Sequence, residues 1–143
     1  MAGFQLTEWI ARSAQDVFDF LTDPANAPQV ITSTTSMVKV SDGPTGVGTR
    51  LRETRLMRGK EEQADLEIVA YEPSRRYAVK NVSDGIETVY AYAFREEAGG
   101  TRVDLACEVI GKGAKKLLLP IVVSELKKED VDHLQRLKAV LER

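Results

Sequence analysis

The sequence predicts an α+β domain in which a run of antiparallel strands is closed by a long C-terminal helix. Three observations predict it. Apolar side chains recur at every second position through most of residues 49 to 110. Gly, Pro and Ser punctuate these stretches at intervals suited to hairpins. From Ala114 to Glu142 the apolar period lengthens to that of a helix. The 143 residues, 43% of them apolar, suit one domain over 1-143 with one core.

Residues 3 to 11 read as a first strand carrying Phe4, Leu6, Trp9 and Ile10. Ser13 then opens Ser-Ala-Gln-Asp, so its hydroxyl caps a helix whose third position holds Asp16, where a carboxylate is favoured. Val17, Phe18 and Leu21 give this helix an apolar face, and Asp23-Pro24 ends it. A second short helical turn spans Ala25 to Val30 with Pro28 inside it.

The hairpins define the register. Turning at Glu97 to Gly100 pairs Glu96 with Thr101 and sets Phe94 opposite Val103, Tyr92 opposite Leu105 and Tyr90 opposite Cys107. Arg95, Arg102, Asp104 and Glu108 then share the wet face, and a slip of one residue would mix the two sets. Turning at Pro73-Ser74 sets Ile68 against Val79, Ala70 against Tyr77 and Leu66 against Asn81, with Glu67 facing Lys80 on the other side. A turn at Gly59-Lys60 sets Arg58 opposite Glu61 and Arg52 opposite Glu67. The three hairpins agree on one antiparallel sheet with one solvated face. They also leave Leu51, Glu53, Arg55 and Met57 on the covered side. Two charges there must pair with neighbours or face a cavity with polar contents.

In the C-terminal helix, Leu119, Val122, Val123, Leu126, Leu134, Leu137, Val140 and Leu141 share one broad face, and Pro120 stands near its start. A wheel at 100° per residue places Asp130 and His133 within that apolar stripe.

Composition excludes several chemistries. A net charge of −2 provides no field for nucleic acid or anionic membrane. The longest apolar stretch, Leu117 to Val123, is too short for membrane insertion. The start of the chain has no basic, apolar leader pattern, and the single Cys107 allows no internal disulfide, so a cytoplasmic location is expected. One His and one Cys cannot supply a histidine- and cysteine-based metal site. The Gly-rich segment Gly43 to Gly48 is followed by a strand pattern instead of a Lys-Ser or Lys-Thr helix start, so it reads as a turn and no phosphate loop. No metal and no cofactor are expected.

The order IARSAQDVFDFLTDPANAPQV, GPTGVGTRLRETRLMRGKEE, IVAYEPSRRYAV, AGGTRVDLACEVIG and a closing HLQRLKAVLE resembles the SRPBCC proteins (START and pollen-allergen-like) of the polyketide cyclase/dehydrase and lipid-transport type. The likeness covers nearly the whole chain, although Gln29-Val30 stands where the family often has an aromatic residue. It implies a helix-grip fold: a curved antiparallel sheet wrapped around the C-terminal helix, with two short N-terminal helices and a deep cavity between sheet and helix. It also implies a small hydrophobic ligand, lipid- or polyketide-like, bound by a monomer or homodimer. The alternative is a cyclase or dehydratase that moves protons on a carbonyl substrate. Glu53, Asp130 and His133 are the catalytic candidates, with Arg55 as an oxyanion partner. The expected ligand-binding set is Arg55, Leu66, Ile68, Tyr77, Asn81, Tyr90, Tyr92, Leu105, Leu126, His133 and Leu137.

Overall fold

A computed structural model describes residues 2–143, and Met1 lies outside them. Strand β1 (Ala2–Ile10) leads through helix α1 (Ala14–Thr22), a 3-10 turn (Pro24–Asn26) and helix α2 (Ala27–Val30) into six more strands. These are β2 (Thr34–Lys39), β3 (Arg50–Met57), β4 (Lys60–Glu72), β5 (Arg76–Ser83), β6 (Ile86–Glu97) and β7 (Gly100–Gly111). A 3-10 stretch (Gly113–Leu118) then enters α3 (Leu119–Asp130) and α4 (His133–Leu141). The seven strands form one open antiparallel sheet in the order β1-β7-β6-β5-β4-β3-β2.

Local chemistry accounts for the start of the chain. Ser13 caps α1 by accepting from the Asp16 N–H at 3.1 Å, and Val17 and Phe18 are buried. The Asp23 carboxylate accepts from the Ala25 N–H, which starts the 3-10 turn. The β6–β7 register is the one the sequence predicts, from Glu96 opposite Thr101 to Tyr90 opposite Cys107.

Two other registers differ from the sequence reading. The β3–β4 turn is Arg58-Gly59, not Gly59-Lys60, so Met57 faces Lys60 and Arg52 faces Asp65 instead of Glu67. Three of the hairpins use the same device. Arg58-Gly59, Asp84-Gly85 and Ala98-Gly99 all hold both central residues at positive φ, between 51° and 78°. Such turns match the twist of the flanking strands and favour Gly at the second position, which Gly59-Lys60 would deny. The correction moves each partner by two residues, so every side chain keeps its face. In the β4–β5 hairpin, Pro73, Ser74 and Arg75 form a three-residue loop, with Ser74 at φ 65°. The added residue is absorbed by a bulge between Ile68 and Ala70. Ala70 therefore faces Ala78 and Tyr71 faces Tyr77, while Ile68–Val79 and Glu67–Lys80 stay as expected.

The C-terminal helix is also divided. The continuous period from Ala114 is interrupted at Val131-Asp132, where Asp132 becomes the residue before α4 with φ −96° and ψ 2°. Asp is a poor helix-interior residue, and here its carboxylate makes no cap and accepts from the Thr32 hydroxyl instead. The interruption lets the two halves bury different surfaces. Leu134, Leu137 and Leu141 of α4 join Ile10, Ile68 and Leu105 in the main core, whereas Leu119, Val122, Val123 and Leu126 of α3 cover Phe4, Cys107 and Val109. At the far side of the main core Phe18 packs edge-to-face on Tyr71, Tyr77 and Phe94, with centroids 5.3, 6.3 and 5.6 Å away.

The sheet curls round these helices. Asp130 reaches Tyr90 of β6 at 2.6 Å and Arg55 of β3 at 3.8 Å, although β5 and β4 lie between those strands. On a flat sheet the two strands would stand about 14 Å apart. Among the described residues no helix is long and apolar enough to cross a membrane.

The corrected turn is testable by urea denaturation. Gly59→Ala should lower stability by about 1–2 kcal/mol, since Gly59 sits at positive φ. Lys60→Gly, in an extended strand position, should also destabilise. If Lys60 occupied the turn instead, that change would stabilise.

Candidate functional site

A cavity of about 80 Å³ lies between the inner sheet face, α2 and the junction of α3 with α4. A single water needs about 10–15 Å³ of such space, so there is room for roughly six waters or one small ring-sized molecule. Its apolar wall comes from Leu21 of α1, Ala27 and Val30 of α2, Ile31, Met37 of β2, Leu66 of β4, and Tyr77 and Val79 of β5. Its polar wall is Glu53 and Arg55 of β3, Tyr90 and Tyr92 of β6, Asp130 and His133.

His133 is fixed on both sides of its ring. Nδ1 lies 2.8 Å from the Val30 carbonyl, which can only accept, so this nitrogen carries the proton. Nε2 lies 2.8 Å from the Tyr92 hydroxyl. Burial lowers the imidazole pKa below its ordinary value, although the Val30 carbonyl and Asp130 pull the other way. The ring is therefore neutral, and Tyr92 donates to Nε2. Burial, followed by the nearby Asp130 charge, raises the Tyr92 pKa and keeps its proton in place.

One turn earlier, Tyr90 donates to Asp130 Oδ2 at 2.6 Å. Burial and the Asp130 carboxylate push the Tyr90 pKa far up, so this phenol is a permanent donor. Arg55 stands beyond it among three carboxylates: Glu53 at 3.7 Å, Glu129 at 3.1 Å and Asp130 at 3.8 Å. Burial alone would lower the Arg55 pKa. Glu53, Asp130 and Glu129 reverse that, and the net shift is upward, so the guanidinium stays charged. Arg55 also donates to the Ser33 hydroxyl at 2.8 Å, and Thr34 donates to Glu53 Oε2 at 2.6 Å. Burial raises the Glu129 pKa, with Arg55 opposing.

The cavity wall thus brings together Glu53, Asp130, His133, Arg55, Leu66, Tyr77, Tyr90 and Tyr92 of the residues predicted from sequence. It does not include the other five. Ile68, Leu105 and Leu137 are buried in the solid main core, because strand parity sets a face and not a depth along it. Leu126 covers the Phe4–Cys107–Val109 cluster on the other side of the helix break. Asn81 lies toward the strand end and donates to the Asp65 carbonyl at 3.0 Å. The expected role of Arg55 as an oxyanion partner is also altered, since the guanidinium is already surrounded by carboxylates. Sequence reading missed Leu21, Ala27, Val30, Ile31, Met37 and Val79 of the wall, and Glu129 beside Arg55. Met37 faces inward together with Thr34, three residues away, because a bulge at Thr35 shifts the β2 register. No periodic signal announces that.

Residues 1–142 match the family described as polyketide cyclase / dehydrase and lipid transport. The chain belongs to this family. Among solved structures, the chain is similar to Ara h 8.0201, with TM-score 0.78 and 16% identity over 97% of this chain and 96% of that one. It is similar to the Zhui aromatase/cyclase from Streptomyces sp. R1128, with TM-score 0.80 and 14% identity over 99% and 93%. It also matches the di-domain ARO/CYC BexL from the BE-7585A biosynthetic pathway, with TM-score 0.81 and 16% identity, covering 99% of this chain and 47% of that one. At these identities the likeness is one of fold, the helix-grip arrangement that the family resemblance implies. Among curated protein sequences nothing matches.

The neutral His133 of this family member has a measurable consequence. Between the ordinary histidine value of about 6.5 and its own lowered one, the unfolded chain takes up a proton that the folded chain refuses. This contribution to stability is complete above about pH 6.5 and is lost as pH falls below it. Glu129, with its pKa raised by burial, acts in the opposite sense and loses its contribution as pH rises from the ordinary carboxylate value. Comparison with His133→Gln separates the two. The stability of the native sequence should fall more steeply from about pH 6.5 to about pH 5 than that of the variant, by up to about 1.4 kcal/mol per unit. Equal slopes in urea titrations would mean that His133 is not held neutral.

Proposed function

We propose that this chain binds a small apolar or amphipathic molecule, lipid- or polyketide-like, in the cavity between the sheet and the α3–α4 junction. The observation that carries this reading is a recessed, partly open space with a mainly apolar wall and one polar end, several of whose groups are paired with each other. Such an end orients a polar atom of the ligand while the apolar wall takes up its body. The volume favours a molecule of one or two rings over a long acyl chain.

Catalysis is the second reading, favoured by two phenol–acceptor pairs on the cavity wall. In it, a cyclase or dehydratase step would take its proton transfers from Tyr90 with Asp130 and from Tyr92 with His133, while Glu53 acts as a further carboxylate. Both ring nitrogens of His133 are already engaged, so a proton would reach a ligand through the Tyr92 hydroxyl. The aromatase/cyclase assignment belongs to the neighbours Zhui and BexL.

Native mass spectrometry after exposure to a mixed lipid and polyketide-like extract tests the binding reading. The native sequence should retain a small adduct, and Leu66→Trp, which fills the cavity, should lose it with its circular dichroism unchanged. Adducts that survive Leu66→Trp would place binding elsewhere. Tyr92→Phe and His133→Ala should weaken retention, or abolish turnover if a substrate is converted.

A further inference from the structure

The polar end of the cavity has more carboxylate than cation. Arg55 is its single guanidinium, and Glu53, Glu129 and Asp130 all stand within 4 Å of it. The neighbouring cations are engaged elsewhere: Arg58 is exposed and lies 3.7 Å from Glu125, and Arg136 reaches the Gln29 carbonyl at 3.4 Å. The two nearby phenols are committed donors to Asp130 Oδ2 and His133. Glu53 Oε2 is taken by Thr34. Glu53 Oε1 and Asp130 Oδ1 are left with distant Arg55 contacts, at 3.7 and 3.8 Å, on residues that line the cavity. These are acceptors awaiting a donor, in surroundings of net negative charge.

Resting on the cavity-binding reading, we infer that this site selects ligands whose polar head donates hydrogen bonds, a hydroxyl or an amine, and rejects carboxylates. An ammonium group placed at this end can donate to both Glu53 Oε1 and Asp130 Oδ1, and a hydroxyl to one of them, without displacing an internal bond. A carboxylate head brings a further negative charge beside three others and offers no proton to either oxygen. Arg55 keeps one buried donor, Nε, without a hydrogen-bond partner, but its charge is already more than matched by three carboxylates, so it offsets little of that repulsion. Selection therefore works mainly by rejecting the wrong head group.

Three probes with one apolar body separate the cases: para-butylbenzyl alcohol, para-butylbenzylamine and para-butylbenzoate, titrated calorimetrically at neutral pH. The alcohol and the amine should bind at least about tenfold more tightly than the benzoate. Glu53→Gln keeps the side-chain shape and removes one charge, and should shrink that preference to about threefold or less. Benzoate binding as tight as the alcohol in the native sequence would overturn the selectivity and leave the cavity reading standing. A preference unchanged in a folded Glu53→Gln protein would overturn the assignment to this carboxylate cluster. Failure of all three probes to bind would count against the cavity reading itself, and the selectivity with it. The native-sequence comparison needs no variant to fold.

Discussion

A guanidinium on the covered face of a sheet must be matched there by carboxylates, and Arg55 draws its partners from separate parts of the chain. Glu53 comes from its own strand, Glu129 and Asp130 from the end of α3, and the Ser33 hydroxyl from the segment before β2. Truncating one member of such a cluster leaves uncompensated charge, at a cost of about 3–5 kcal/mol where burial is complete. With Arg55 at 16% side-chain exposure the cost is smaller, but the geometric demand remains. The cluster ties β3 to α3 across the curl of the sheet. Its charges offset one another, while Arg55 Nε and Glu129 Oε2 stay without hydrogen-bond partners. At the opposite end, the Phe18, Tyr71, Tyr77 and Phe94 rings close the core solidly.

The break at Val131-Asp132 lies between two members of this polar network. Asp130 must face Tyr90 and Arg55, while His133 must reach both Tyr92 and the Val30 carbonyl. The bond to Val30 also satisfies the last residue of α2, a helix of four residues that has little stability of its own. One imidazole therefore joins α2, β6 and α4. The cavity lies under this joint, where α3 turns toward the Phe4 cluster and α4 toward the main core.

The sequence carried the faces of the sheet better than its details. Because side chains alternate, an error of two residues in the β3–β4 partner left Arg52 outside and Leu51 and Glu53 inside. The charges at Glu53 and Arg55 on a covered face pointed to a polar cavity end, and the helical wheel added Asp130 and His133, which are 4% and 2% exposed. The contribution of α2 and β2 was not legible. Val30 acts through its carbonyl, which no side-chain pattern reveals, and Met37 faces inward only through a bulge. Ile68, Leu105 and Leu137 were legible as interior but not as solid core. Whether an interior side chain meets a void or another side chain depends on how far the helix lies from that point of the sheet.

Burial and pairing hold Tyr90, Tyr92 and Arg55 each in one protonation state. Tyr90 and Tyr92 are held protonated by burial and by Asp130, so each remains a donor throughout the neutral range. Their acceptors, Asp130 Oδ2 and the Nε2 of a neutral His133, are therefore always filled from within the protein. Arg55 is held charged by its carboxylates. Glu129 has its pKa raised by burial, with Arg55 opposing, so its protonation as pH falls reduces the negative excess beside Arg55. A ligand entering this space meets an end in which both phenol donors are spent and two carboxylate oxygens are not. The same pairing that lets charge stand on the inner face of the sheet thus determines which head group can complete it.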